Sequence, residues 1–229
     1  MEMLQNADFW IGLIKIIWIN IILSGDNAVV IALAARSLPP AQQKKAIMFG
    51  SGAAVVLRIA LTVVAAKLLE MSYLQIIGGI LLLWIGTQLL SEEDEGEGEA
   101  KENGGLMAAV RTILIADLVM SLDNVIAVAA AAKGSMTLLI LGLAISIPLV
   151  IFGSTLMIKL MERFPIIVML GAALIGWVGG ETIVSDVALK GFAVANPWLH
   201  YVAAATGAAF VIGVGKFMQR RHGAKSAAN

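Results

Sequence analysis

Cysteine is absent from this 229-residue chain, and histidine occurs only twice. Disulfides and thiolate metal sites are therefore excluded. The imidazole ligands that Zn²⁺ and Cu usually recruit are also scarce, with His200 near a span boundary and His222 in the C-terminal tail. Charge is thin too: 14% of residues are charged, against roughly a quarter in a soluble domain. The 16 bases and 16 acids cancel, so no long-range attraction to nucleic acid is implied. No glycine-rich phosphate loop is present, which leaves no ATP-binding motif. No polar stretch is long enough to bury a core of its own, which argues against a separate soluble domain.

What the chain has in abundance is apolar surface, 59% of its residues, in runs of about twenty residues, the length that crosses a bilayer as a helix. These runs predict an all-α membrane protein with seven spans at 9–34, 47–69, 72–90, 107–132, 135–158, 164–184 and 199–217. The first run, from Phe9 onward, is too long for a signal-peptide core and lacks a small-residue cleavage site, so it is expected to be retained. Ser37-Leu38-Pro39-Pro40 breaks the first run from the second. A longer acidic, glycine-punctuated stretch, Glu92 to Glu102, separates the third from the fourth and has the composition of a solvated linker. The expected organisation is a first three-helix unit (1–90), an acidic linker (91–106), a second three-helix unit (107–184), and a seventh helix with a basic tail (185–229).

Orientation follows from Lys and Arg near the span ends. With the N-terminus outside, the inner side collects Arg36, Lys44, Lys45, Arg111, Lys159, Arg163 and the tail residues Arg220 and Arg221, among others. The outer side then holds only Lys15, Lys67, Lys133 and Lys190. The C-terminus and the acidic linker are expected inside.

The most informative pattern is a duplication. Asn20 to Ala32 contains Ser24-Gly25-Asp26-Asn27, and Asp117 to Ala129 contains Ser121-Leu122-Asp123-Asn124, with Asp26 and Asp123 standing 97 positions apart (123 minus 26). Lys67-Leu68-Leu69-Glu70 likewise falls on Lys159-Leu160-Met161-Glu162, and Gly78, Trp84 and Gly86 fall on Gly171, Trp177 and Gly179. A unit with an odd number of spans must enter the membrane in opposite directions in its two copies. Inverted repeats of this kind let two halves exchange conformations around a central site.

Asp26, Asp117 and Asp123 lie within apolar runs, where an unpaired carboxylate costs at least a few kcal/mol. Such residues usually face a bundle interior and bind or relay something. Asn20, Ser24 and Asn27 share one helical face, and Asp117, Ser121 and Asn124 repeat that spacing. Asp26 and Asp123 stand about 100° off those faces on an ideal helix; Gly25 offers the first copy a place to unwind, and Leu122 replaces it in the second. The candidate metal site is Asp26, Asn27, Asp117, Asp123 and Asn124, with Asn20, Ser24, Ser121, Glu181 and Arg58 as accessory or proton-relay residues. An all-oxygen set suits Mg²⁺, Ca²⁺ or Mn²⁺. Arg58, in the middle of the second span, reads as a counter-ion for one of these carboxylates or for Glu181, or as a gating residue. Glu181 reads equally as an exit-path ligand or proton acceptor and as a solvated boundary residue. The glycine pairs Gly50/Gly52, Gly78/Gly79 and Gly179/Gly180 read as close-packing positions.

At Ser24-Gly25-Asp26-Asn27 and Asp117-Leu118-Val119-Met120-Ser121-Leu122-Asp123-Asn124, the chain resembles the TerC family of integral membrane proteins, most closely its compact bacterial branch with two Asp-Asn motifs. The resemblance runs from the first span to the seventh. It implies a member of the lysine-exporter superfamily, manganese efflux, and a metal path formed by Asp26, Asn27, Asp117, Asp123 and Asn124. The same family has been tied to metal homeostasis broadly and to membrane-protein assembly.

Taken together, the expectation is a proton-coupled exporter of a divalent ion, Mn²⁺ or else Ca²⁺ or Mg²⁺, in a bacterial inner membrane. It is expected to be no enzyme, to need no cofactor and to bind no nucleic acid; its partners would be the ion, the bilayer and, compatibly with the sequence, further copies of itself. Two alternatives stand beside it: an assembly factor without transport, and an intramembrane aspartyl hydrolase using Asp26 and Asp123 as a dyad.

Overall fold

The structure is a computed structural model that describes residues 7–23, 25–68, 71–91, 104–132 and 135–226. Within those segments a few side chains, those of Asn20 and Asp123 included, are outside the description. The described residues form helices only: α1 (Ala7–Leu23), α2 (Gly25–Ala35), α3 (Pro40–Leu68), α4 (Leu74–Ser91), α5 (Gly104–Ala132), α6 (Met136–Arg163), α7 (Ile166–Val184), the short α8 (Lys190–Ala195) and α9 (Trp198–Ser226). This is the all-α membrane architecture expected, because in lipid a chain must satisfy its backbone hydrogen bonds internally.

The helix boundaries follow local chemistry. Pro40 opens α3 at the position where its missing N–H costs nothing. Ser135 caps α6, its hydroxyl accepting from the Leu138 N–H at 3.3 Å. α7 follows directly on Pro165. α3 begins well before the expected apolar run and α9 continues to Ser226; both additions are polar, and a helix need not stop where the lipid does.

Among the described residues six helices are long and apolar enough to cross a membrane: α3, α4, α5, α6, α7 and α9, which match six of the seven expected spans. The run expected as one span over 9–34 is present as α1 and α2, of 17 and 11 residues, each below that length. Ser24, between them, lies outside the described residues, as does the acidic stretch from Glu92 to Glu102.

α2 is the innermost element: every residue from Asn27 to Ala35 is buried. A helix that is apolar on all sides has no face to give to water or lipid, and packs at the centre. α5, α6, α3 and α7 surround it. α4, α7 and α9 form a second group, brought close by glycine. A Cβ at Gly79 would lie 2.5 Å from the Gly179 carbonyl oxygen, and one at Gly180 would collide with the backbone of Ala203. These contacts bear out close packing as the role of Gly78, Gly79, Gly179 and Gly180; Gly50 sits against Ile113 in the same way, whereas Gly52 has nothing within 4 Å.

The interior is stratified. One apolar cluster gathers Leu38, Ala46, Leu90, Ala109 and Met161 with most of α2. A second gathers Phe9, Leu13, Ile16, Ala132, Leu138 and Leu143 at the opposite end. Buried polar side chains from α2, α3 and α5 lie between them: Asn27, Ser51, Arg58, Asp117 and Ser121.

Candidate cation site

Three helices meet at this polar layer, each bringing residues spaced to share a face. On α5, Asp117 and Ser121 are one turn apart, and the Ser121 hydroxyl donates to Asp117 Oδ2 at 3.2 Å. On α3, Ser51 and Arg58 are two turns apart on the side facing α5 and α2. Arg58 Nη2 donates to Asp117 Oδ1 at 2.5 Å and Arg58 Nε donates to Ser121 Oγ at 3.0 Å. Arg58 is 4% exposed and Asp117 6%, so each ion is withdrawn from water and depends on the other. Of the roles open to Arg58 in the sequence, the structure shows the counter-ion of a carboxylate, and that carboxylate is Asp117, not Glu181.

Asn27 and Ser51 complete the layer differently. Both are buried, and neither the Asn27 amide nor the Ser51 hydroxyl has a hydrogen-bond partner among the described residues. Asn27, Ser51, Arg58 and Asp117 line one cavity of about 20 Å³, walled otherwise by Ile31, Ala54, Val55 and Val150. That is room for about one water or one dehydrated ion. Its polar lining is an acid, an amide, a hydroxyl and one guanidinium.

The other expected residues stand at varying distances from this cavity. Asp26 is half-buried, accepts from the Asn27 N–H at 2.8 Å and lies within electrostatic reach of Arg58 and Asp117. Asn124 is half-buried and does not line the cavity. Glu181 is exposed and does not line it either. Ser24 and the side chains of Asn20 and Asp123 lie outside the described residues. Among the described residues no three His, Asp or Glu side chains converge as a metal-binding group; the expected trio of carboxylates is represented there by Asp26 and Asp117.

Sequence reasoning missed two polar residues. Ser51 had a signal, since it shares a helical face with Arg58. Asp186 had none, because an acid just past the end of a span reads as solvated. It is fully buried. From the turn after α7 it accepts the backbone N–H groups of Tyr73 (2.9 Å), Gln75 (3.0 Å) and Ile76 (3.3 Å) at the start of α4, and that of Ala188 (2.8 Å). Tyr73 takes a left-handed backbone there, φ 71°. Burial alone would raise the Asp186 pKa, but these four donors together hold it below the usual carboxylate range.

Long apolar helices around a buried ionic layer define a multi-pass integral membrane protein. The chain belongs to the TerC family of integral membrane proteins, which it matches over residues 5–223. It is 43% identical over 208 residues to the membrane protein YjbE of Bacillus subtilis, an alignment covering 91% of this chain and 95% of that one. More distant similarity links it to the inner membrane protein YoaE of Escherichia coli (27% over 241 residues, 97% of this chain but 45% of that one). The inner membrane protein YgdQ of the same organism is 25% identical over 200 residues, covering 80% and 84%. No solved structure matches the chain.

Proposed function

We propose that this protein is a secondary transporter that exports a divalent cation, Mn²⁺ first and Ca²⁺ or Mg²⁺ as competitors, in exchange for protons. One observation carries the reading: hard oxygen ligands on the helices of the duplicated motif, Asn27 on α2 and Asp117 on α5, line one small cavity between two apolar layers. An interior acid at such a depth is costly unless it does something. Carboxylate, amide and hydroxyl oxygens are the ligands that Mn²⁺, Mg²⁺ and Ca²⁺ accept. Asp26 and Asp123 flank the path in this reading; with Asp117 they carry three negative charges, one of them balanced by Arg58, and a carboxylate that gives up the metal can take a proton in exchange. No cofactor and no covalent chemistry are needed.

The helix packing supports alternating access by two inverted halves. In this reading α1 and α2 together make the first crossing. α3 then packs on α5 as α6 packs on α1 and α2, α4 touches α5 as α7 touches α2, and α4–α7 and α3–α6 are self-pairs. That is the pairing expected if a two-fold axis exchanges the halves. The basic span ends favour N-terminus out and C-terminus in, within a bacterial inner membrane.

The test is flux from reconstituted vesicles loaded with each ion, with and without an imposed pH gradient. Mn²⁺ flux that steepens with the gradient is expected. Asp26→Asn and Asp123→Asn should each abolish manganese tolerance in cells while the protein still inserts. Absence of flux for all three ions, or unchanged tolerance at equal expression, refutes the reading.

A second reading has its own support. The contacts of Arg58 with Asp117 and Ser121 clamp α3 to α5, as a purely structural tie would. A non-transporting assembly factor built this way would pass no ion, and the same flux measurement separates the two.

A further inference from the structure

We propose that Arg58 is a tethered cation that occupies the site between transport events, and that Asn27 and Ser51 are the ligands that receive the substrate cation when Arg58 is displaced. This rests on the transport reading and adds to it a competitor and a new ligand, Ser51.

Both oxygens of Asp117 accept a hydrogen bond, Oδ1 from Arg58 and Oδ2 from Ser121. Each oxygen keeps a second lone pair, but a divalent ion that takes Asp117 in a cavity of about 20 Å³ comes beside the guanidinium, and the two cations repel at low dielectric, which drives Arg58 off. Arginine cannot give way by losing a proton, because it stays charged throughout the accessible pH range. Its way out is to move, and a long unbranched side chain has the rotamer freedom to do so.

The same cavity is already arranged for an arrival. Asn27 is 3% exposed and Ser51 2%. Three of their polar atoms, Asn27 Oδ1, Asn27 Nδ2 and Ser51 Oγ, have no partner among the described residues. Buried polar atoms are nearly always paired, and those that are not call for an explanation. Here the atoms line the same small space as the Arg58–Asp117 pair. A cation held by Asp117 would gain the Asn27 carbonyl oxygen and the Ser51 hydroxyl oxygen, both of the hard type that Mn²⁺ and Mg²⁺ prefer.

The arrangement also solves a problem of the return step. Once a carrier has released its ion, a bare Asp117 would have to reorient through an apolar interior. With Arg58 back on Asp117, the empty protein carries a neutral pair instead. Arg58 thus lowers affinity for the substrate and speeds resetting.

This separates two measurable quantities. In vesicles, Arg58→Gln should bind Mn²⁺ more tightly, with an apparent KM lowered about tenfold. It should retain exchange of labelled for unlabelled Mn²⁺ while net efflux falls at least tenfold. Arg58→Lys, which keeps a movable charge, should restore part of the net efflux. Ser51→Ala keeps the Arg58–Asp117 pair intact and should raise KM several-fold with little change in kcat. Wild-type protein that passes no divalent cation overturns the transport reading, and this inference with it. Wild-type flux combined with a Ser51→Ala KM equal to wild type overturns Ser51 as a ligand. Wild-type flux combined with a parallel loss of exchange and net efflux in a folded Arg58→Gln overturns the tethered cation alone. Should Arg58→Gln not fold, Arg58→Lys decides: unchanged KM and unchanged net-to-exchange ratio count against the proposal.

Discussion

The two halves of the duplication carry the same Asp-Asn pair, at Asp26-Asn27 and Asp123-Asn124, yet they differ in charge around it. Asp117 in the second half stands 97 positions after Asn20 in the first, so an acid there replaces an amide. Arg58 in the first half stands 92 positions before Val150 in the second, so a base here replaces a methyl-bearing chain. The two departures from symmetry find each other: Arg58 neutralises Asp117, and Val150 lines the cavity beside them. Charge that would be prohibitive in either half alone is tolerable because the other half supplies its opposite. A second tie runs the other way, where Asp186 after α7 holds the start of α4. The two copies of the motif are thus alike in their Asp-Asn pairs but complementary in the polar contacts around them.

The largest expected effect comes from breaking that complementarity on one side only. Asp117→Asn leaves Arg58 buried without its counter-charge and should cost about 3–5 kcal/mol of folding stability, read as a lowered melting temperature in lipid–detergent micelles. The double variant Arg58→Val, Asp117→Asn makes each half resemble the other and should recover most of that loss while remaining inactive. A double variant no more stable than the single would mean that the two changes did not arise as compensation.

The comparison sharpens at α9, which lies outside the duplication and packs unequally on the halves. Against α7 it approaches backbone to backbone, Gly207 meeting Gly176 and Ala203 meeting Gly180. Against α4 the contact is looser, leaving a groove between Trp84 and Phe210. Gly180→Val should therefore cost about 1–3 kcal/mol by overpacking, and Thr87→Val, at the corresponding place in the first half, distinctly less. Equal losses in thermal melts would show that α9 does not distinguish the halves.

The smallest effect is expected at Asp186, and it depends on pH. The folded state holds this carboxyl below its ordinary value, so its contribution is complete above the unfolded-state pKa of about 3.9 and disappears as pH falls through the lowered folded value. Asp186→Asn should cost about 1–2 kcal/mol at neutral pH. The gap between variant and wild type should narrow below about pH 4. A gap that stays constant down to pH 3 would deny the carboxylate its role as acceptor for α4.

Much of this was legible in the sequence. Apolar runs gave the positions of α4, α5, α6 and α7 to within a few residues, because in lipid hydrophobic length and helix length are tied together. The polar residues Asn27, Asp117, Ser121 and Arg58 stood out for the same reason: charged and amide-bearing residues are few in those runs, and each is costly in lipid unless it is used. The glycines at Gly79 and Gly180 were readable as packing positions.

Composition and periodicity by themselves determined that this chain lives in a bilayer, that it is helical, and that its interior acids belong to a duplicated motif. Those properties depend on the solvent and on neighbours along the chain, both of which the sequence states directly. Only the tertiary structure decided which base answers which acid, that Ser51 and Asn27 line one cavity, and that Asp186 is buried at a helix start over a hundred residues away in sequence. Such pairings depend on how helices lie against one another, and a side chain's partner across that gap leaves no trace in its own segment.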